Sequence, residues 1–444
     1  MEKLYLGIGR ADITPPIGGQ LYGYAPNVFS NAVEDRLNVS ALYFCQGDVR
    51  ALMISATVCL INTALARRIR NALAEKMGIP AENIILHATH THSGPNTAGS
   101  YGWGDIDTEY CESIFVPAIL TAAAEATAAP VPVTVGAAEG ESLVGINRRE
   151  LTERNNITLG QNPWGCMDKR MTVISFRDAE GKCMANIIHY GCHGTAAGRN
   201  REISRDWSGL MCDTLSRESG AFTVFFNGPE GDVGPRITNG KTVGEDVSIV
   251  GSDRGDIRYV RQLGQIAARD AVRIWREIWD YHPVRLRAGS SRLPIPLKAK
   301  MPEETAGELL KKYEGKTTNL HGQTRRHLEM VIAAHTAGEP DAETRDVELS
   351  VLGLGNLVFA GVPYETFSEI GLRIDRMVKG ARVLSLSNTN GSEGYYVTED
   401  SLCRGGYEVE MFRYGKVQPF VDDADFALAK GSAEEIRRLL EDVK

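Results

Sequence analysis

The chain has 444 residues, 43% of them apolar, and a formal net charge of −8 from 49 basic and 57 acidic side chains. That composition supports one large core or two ordinary ones, and an acidic chain without a basic run excludes nucleic acid and anionic membranes as natural partners. A small-molecule ligand suits it better.

The opening "MEKLYLGIGRADITPP" lacks a basic stretch followed by an apolar one, and no uninterrupted apolar run approaches 18 residues. The expectation is a cytoplasmic protein with no stable membrane anchor, free to form a homo-oligomer. Cys45, Cys59, Cys111, Cys166, Cys183, Cys192, Cys212 and Cys403 include no C-x-x-C pair. They read as reduced, buried thiols.

In chain order, "LYLGIGRADITPP" is a short strand stopped by Pro15 and Pro16. Residues 39–58 form a hairpin turned at Gln46-Gly47-Asp48, and 62–78 form a helix opened by Asn62 and closed by Gly78. "ENIILHATH" is a strand whose apolar part ends where the histidines begin. This strand, helix, strand order predicts an α/β fold, with mixed sheets flanked by helices and a ligand site at the strands' ends.

Residues 109–128 read as an Ala-rich helix, 131–150 as strand, and 151–170 as a polar surface loop. A second hairpin over 171–195 turns at Ala179-Glu180-Gly181 and leads into His189 and His193. A short helix over 206–220 precedes the apolar strand "AFTVFFN" and the glycine-rich "GPEGDVGPR". A long helix is expected over 254–280 and a mostly helical excursion over 302–336. Strand, turn and strand follow over 346–367, a last strand over 382–398, and an amphipathic helix over 432–444. With no repeat and no low-complexity linker, one domain over 1–444 is expected, with 283–345 as a candidate helical subdomain.

Several apolar strands end in polar, glycine-containing clusters: "HATHTHSGP", "HYGCHGT", "FFNGPEGDVGP", "FAGVPYE" and "NGSEGYYVT". Alignment in a sheet would bring His90, His92, His193, Glu365 and Tyr396 together. In an extended strand His90 and His92 share a face, about 6–7 Å apart. Two neutral imidazoles and one carboxylate are a common zinc shell with an open position, and equally the face of a non-haem Fe²⁺ site. Taken alone, Glu365 also reads as the first-turn acid of a helix over "PYETFSEIGLRIDRM", Tyr396 as a half-buried strand aromatic, and Arg148 as a surface ion-pair partner. His87 and His189 sit on apolar strands and read as structural.

The clusters "GIGRADIT", "HATHTHSGP", "GINR", "HGT", "GDVGP", "GVPYETF" and "YYVT" followed by "GGYE" span residues 7 to about 410. In this order they resemble the catalytic domain of the neutral, non-lysosomal ceramidases. The resemblance implies zinc ligands at His90, His193, Glu365 and Tyr396, a second active-site histidine at His92, and an active-site arginine at Arg148. It implies hydrolysis of an N-acyl amide, with sphingolipid metabolism as the setting. A bound Zn²⁺ lowers the pKa of water to about 7 and polarises a carbonyl. Arg148 or the Tyr396 hydroxyl would stabilise the oxyanion by about 3–4 kcal/mol, and His92 would carry the proton to the leaving nitrogen.

Two departures bear on substrate. Gly234 stands where the family typically has serine, and no immunoglobulin-like domain is expected after the last motif. A smaller, more polar N-acyl compound is therefore expected at least as much as ceramide. Asp206 is either a hydrogen-bond partner of a ligand histidine or a helix N-cap, and Asp232 either orients a ligand or stabilises its turn. Asn227 and the nearby glycines suit a loop approaching a ligand closely. The alternatives are a non-haem iron oxygenase on the same two histidines and glutamate, and a non-catalytic ligand-binding protein.

Overall fold

Apolar runs without polar alternation, such as Met171–Phe176, need cover on both faces, and the fold supplies it in four layers. The computed structural model describes residues 2–238, 255–316 and 318–441. Its larger sheet has eight strands in the order Phe222–Asn227, Cys183–Tyr190, Arg170–Arg177, Val131–Glu141, Leu4–Asp12, Asn38–Gln46, Val49–Ala56 and Ile84–Ala88. A second sheet orders Leu286–Pro296, Thr344–Leu354, Leu357–Gly361 and Arg382–Leu386.

Alternation along each strand assigns the layers. Leu42, Phe44, Ile174 and Phe226 point between the sheets and meet Leu352, Phe359 and Leu384. Their neighbours Ala41, Tyr43, Val173 and Ile188 point outward, under the helices Thr63–Met77, Val116–Ala128, Trp207–Ser219 and Ile257–Arg276. The outer face of the second sheet is covered by Ser368–Met377 and Ala424–Glu441. Each fully buried Leu, Ile or Phe contributes about 1.5–3 kcal/mol of transfer free energy.

Both hairpins form where expected. Asn62 caps the first helix through the amides of Ala64 and Leu65, and Gly78 closes it at φ 64°. Other expectations need correction. Within the supposed loop over 151–170, Ile157–Asn162 pairs as a strand with Gly145–Leu151. Glu365 is not in a helix: Glu365–Thr366 is a short strand parallel to Tyr395–Tyr396, and the helix starts at Ser368. The competing pull comes from Gly394 and Gly231, which bond the Glu365 amide and the Thr366 carbonyl.

Of the excursion over 283–345, strand Leu286–Pro296 belongs to the second sheet, while helices Glu303–Lys312 and Asn319–Thr336 pack on each other through Ala306, Leu328 and Val331. The helix expected over 254–280 is Ile257–Arg276, and residue 254 lies outside the described residues. The last helix begins earlier than expected, at Ala424, and 442–444 lie outside the described residues. Thr108–Ala128 is long and apolar enough to cross a membrane, but its Ile119, Ala122 and Ala126 pack into the core beneath the sheet. All eight cysteines are free, but Cys166 and Cys403 are exposed and Cys45 and Cys183 only half-buried.

Candidate metal centre

Parallel strands put the chemistry at their C-terminal ends. His90 follows Ile84–Ala88, His193 follows Cys183–Tyr190, and Glu365 follows Leu357–Gly361. The strand has already ended at His90, which adopts φ 69°. His90 and His92 therefore converge through a left-handed residue rather than the two-residue period of an extended strand. Such backbone costs about 1–3 kcal/mol in a residue other than glycine and persists where its surroundings hold it. His92 is seated by Gly23, at φ 123°, where any Cβ would stand 2.4 Å from the imidazole Nδ1.

His193 Nδ1 contacts the Glu230 carbonyl at 2.8 Å, and His90 Nδ1 contacts the Cys59 carbonyl at 3.1 Å. A carbonyl only accepts, so both Nδ1 atoms carry hydrogen and both Nε2 atoms present lone pairs. Those lone pairs face Glu365 Oε2, 3.4 Å from His90 and 3.3 Å from His193. Among the described residues His193 Nε2 and Glu365 Oε2 have no hydrogen-bond partner, and all three residues are buried. Buried acceptors that converge without a donor repel one another unless a cation sits between them. Two imidazoles and a carboxylate fit Zn²⁺ or Fe²⁺. Burial pushes His90 and His193 well below the ordinary histidine pKa and His92 down to about 4, so all three are neutral at pH 7. Neutral imidazole is the form a metal needs.

His92 Nε2 stands 3.2 Å from His90 Nε2, at the buried end of a cavity of about 270 Å³. Arg148 arrives on strand Gly145–Leu151. Its guanidinium donates to Glu408 at 2.8 Å and to the Tyr395 hydroxyl at 2.9 Å. Burial opposes the Arg148 charge, but Tyr395, Glu408 and Glu365 outweigh it. Tyr395 lines the cavity, and burial keeps it a phenol.

The structure does not bring Tyr396 to the cavity. Its hydroxyl donates to the Ala424 carbonyl, and its ring packs against Tyr364, Phe412 and Phe420. Neighbouring residues on a strand face opposite ways, so Tyr395 faces the cavity because Tyr396 does not.

Asp206 caps Trp207–Ser219 and accepts the amides of Ala196 and Ala197 in the loop after His193. It bonds no imidazole among the described residues. Asp232 accepts the Ser368 amide, the Ser368 hydroxyl and the Asn147 amide group, and its carbonyl accepts from the Arg148 amide. It therefore orients Arg148's strand rather than a metal ligand. The Asn227 side chain donates to the Thr89 and Cys192 carbonyls and accepts the Cys192 amide, joining the loops that carry His90 and His193. Gly234 is in a strand, where a Cβ would meet Arg148 Cβ at 3.4 Å. His189 Nε2 donates to the Ser385 carbonyl, and His87 Nε2 accepts the Asn227 amide. Both are structural, as expected.

The sequence reading missed Glu230, Asn388, Glu408 and Cys59. Glu230 is fully buried, and burial together with the charge of Glu365 pushes its carboxyl well above the usual carboxylate range. A glutamate inside the glycine-rich "GPEGDVGP", where turn residues suffice, was the available signal.

The sequence profile described as "Neutral/alkaline non-lysosomal ceramidase, N-terminal" matches residues 4–248. The chain is 28% identical to Neutral ceramidase A of Dictyostelium discoideum over 261 residues, covering 53% of this chain and 36% of that protein. It is 24% identical to the Neutral ceramidase of Pseudomonas aeruginosa over 474 aligned positions, covering 92% of this chain and 69% of that one. The crystal structure of neutral ceramidase from P. aeruginosa superposes with a TM-score of 0.72 at 20% identity, over 99% of this chain and 75% of that one. A structure titled "Ceramidase complexed with C2" superposes with a TM-score of 0.69 at 19% identity, over 99% of this chain and 76% of that one. The superpositions show a shared fold. The chain spans about a third of the length of the Dictyostelium relative.

Proposed function

Because the chain belongs to the neutral/alkaline non-lysosomal ceramidase family, we propose that it hydrolyses the carbon–nitrogen bond of a linear N-acyl amide, with a zinc ion held by His90, His193 and Glu365. The observation that carries this reading is the convergence of two buried imidazole Nε2 atoms on one carboxylate oxygen, with no hydrogen-bond partner for His193 Nε2 or Glu365 Oε2 among the described residues. When bound, the ion supplies Lewis acidity that makes water a nucleophile near pH 7 and polarises a carbonyl.

The chain's own groups divide the remaining work. Arg148 donates to the Tyr395 oxygen, which leaves the phenolic hydrogen free to donate into the cavity. A developing oxyanion there gains a donor of the kind whose removal costs about 2.7–4 kcal/mol. His92 takes up and releases a proton at Nε2 rather than at Nδ1, which is packed against Gly23. Neutral at pH 7, it accepts a proton and, with a conjugate acid shifted to about 4, releases it readily to a leaving nitrogen.

The cavity of about 270 Å³ is small beside ligand pockets of roughly 300–1,000 Å³. Arg326 and the Lys416–Glu393 ion pair line its wall. The small volume favours a short N-acyl chain over that of ceramide. The test is release of free amine from a graded series running from ceramide through N-acyl amino acids to small acetamides. Turnover that rises as the acyl chain shortens supports the reading. Failure across every chain length overturns it.

A further inference from the structure

Glu408 is not among the residues lining the metal cavity, and nothing in the chemistry above uses it, yet it holds two arginines at once. Its Oε1 accepts Arg148 Nε at 2.8 Å, and its Oε2 accepts Arg149 Nη1 at 2.7 Å. The Glu408 side chain is 1% exposed, against 11% for Arg148 and 7% for Arg149. Consecutive strand residues ordinarily face opposite ways. Here the ladder slips: Asn147 pairs with Asn162 but Arg149 with Leu159, two steps on one strand against three on the other. An irregularity of this kind adds twist and re-aims side chains, and both guanidinium groups reach one carboxylate. Arg149 Nη2 also donates to the Gly405 carbonyl at 2.6 Å, which anchors the far side of the clamp.

A guanidinium is planar, so fixing the direction of one N–H fixes the directions of the others. With Nε committed to Glu408, Arg148 Nη2 is left 2.9 Å from the Tyr395 hydroxyl, the group assigned above to the developing oxyanion. Charge-assisted bonds between buried groups are short, strong and directional. We propose that Glu408 is a positioning residue for hydrolysis: through Arg148 it holds a donor on the Tyr395 oxygen, so that the phenolic hydrogen points into the cavity. Arg149 keeps the carboxylate itself from turning. This role rests on the amide-hydrolysis reading above.

The test is a double-mutant cycle on the full chain with a short N-acyl amide as substrate. Glu408→Gln keeps the size of the side chain but removes its charge and replaces one acceptor by a donor. It should lower kcat by about 10–100-fold, with KM within threefold of the parent. In a Tyr395→Phe background, where no hydroxyl remains to be aimed, the same substitution should change kcat by less than threefold. A general loosening of the fold predicts equal losses in both backgrounds, and that result overturns the proposal. Glu408→Asp keeps the charge and should lose less kcat than Glu408→Gln with the same cancellation, which decides the matter if Glu408→Gln fails to fold. A second readout needs no turnover. The Tyr395 Cζ resonance in carbon NMR spectra, identified by its loss in Tyr395→Phe, reports the hydrogen bond on the phenol oxygen. It should shift in the Glu408 variants, and an unmoved resonance overturns the proposal. If the parent releases no amine from any amide, the hydrolysis reading falls, and that resonance still decides whether Glu408 sets the contact between Arg148 and Tyr395.

Discussion

His193 Nε2 stands 3.3 Å from Glu365 Oε2, and no hydrogen donor among the described residues serves either atom. Two acceptors at that separation inside a protein repel unless a positive charge lies between them. The Nδ1 contact with Glu230 fixes the histidine so that its lone pair, rather than its hydrogen, faces the carboxylate.

The two adjacent tyrosines should behave oppositely. Tyr395→Phe removes the donor held by Arg148 and should lower kcat by about 100-fold with the fold intact. Tyr396→Phe removes a hydrogen bond to Ala424 and should cost about 1 kcal/mol of stability with little effect on kcat. Steady-state kinetics and urea unfolding of both variants decide it, and the opposite ranking would restore Tyr396 to the site.

Asp206 should prove to be a scaffold residue. Asp206→Ala strands the amides of Ala196 and Ala197 and uncaps a helix, a loss of about 2–4 kcal/mol. Zinc affinity of the folded fraction should stay within threefold, since Asp206 bonds no imidazole among the described residues. A tenfold weakening would mean that the carboxylate does act on a ligand.

Acid should destabilise the protein partly through His189. Burial lowers its folded pKa to about 4, whereas the unfolded chain takes up its proton near 6.5. The unfolded state therefore binds more protons between those values, and stability rises with pH across that window. His189's share is fully present above pH 6.5 and lost as pH falls towards 4, a change of about 3 kcal/mol. Asp206 and Asp232, each raised to about 6 by burial, work in the opposite direction over much of the same range. The informative quantity is thus the difference between the parent and His189→Gln in urea unfolding from pH 7 to pH 4. It should shrink by about 3 kcal/mol, and parallel profiles would contradict the assignment.

The hairpins, the capped first helix and the strand-end position of His90, His193 and Glu365 were legible because they depend on local pattern. Alternation, the Asn and Gly caps, and apolar runs stopping at polar clusters are all written within a few residues of each other. Tyr395 was not legible in the same way. Which of two neighbouring tyrosines faces a cavity depends on a one-residue register, here set by parallel pairing with Glu365–Thr366. Glu365 itself was drawn towards a helix by its surroundings in sequence, and long-range bonds from Gly231 and Gly394 reversed that preference. Asp206 sat equally well in two roles until the amides it accepts came into view. Glu230 and Asn388, 158 positions apart, meet only through the assembled sheets.

The most direct measurement is amine release from a short N-acyl amide by chelator-stripped protein titrated with zinc, run in parallel on His193→Ala. Activity should rise from near zero to a plateau at one zinc per chain, and His193→Ala should stay inactive at every zinc concentration. Full hydrolysis by the stripped protein, or by His193→Ala, would contradict a metal centre built from His90, His193 and Glu365.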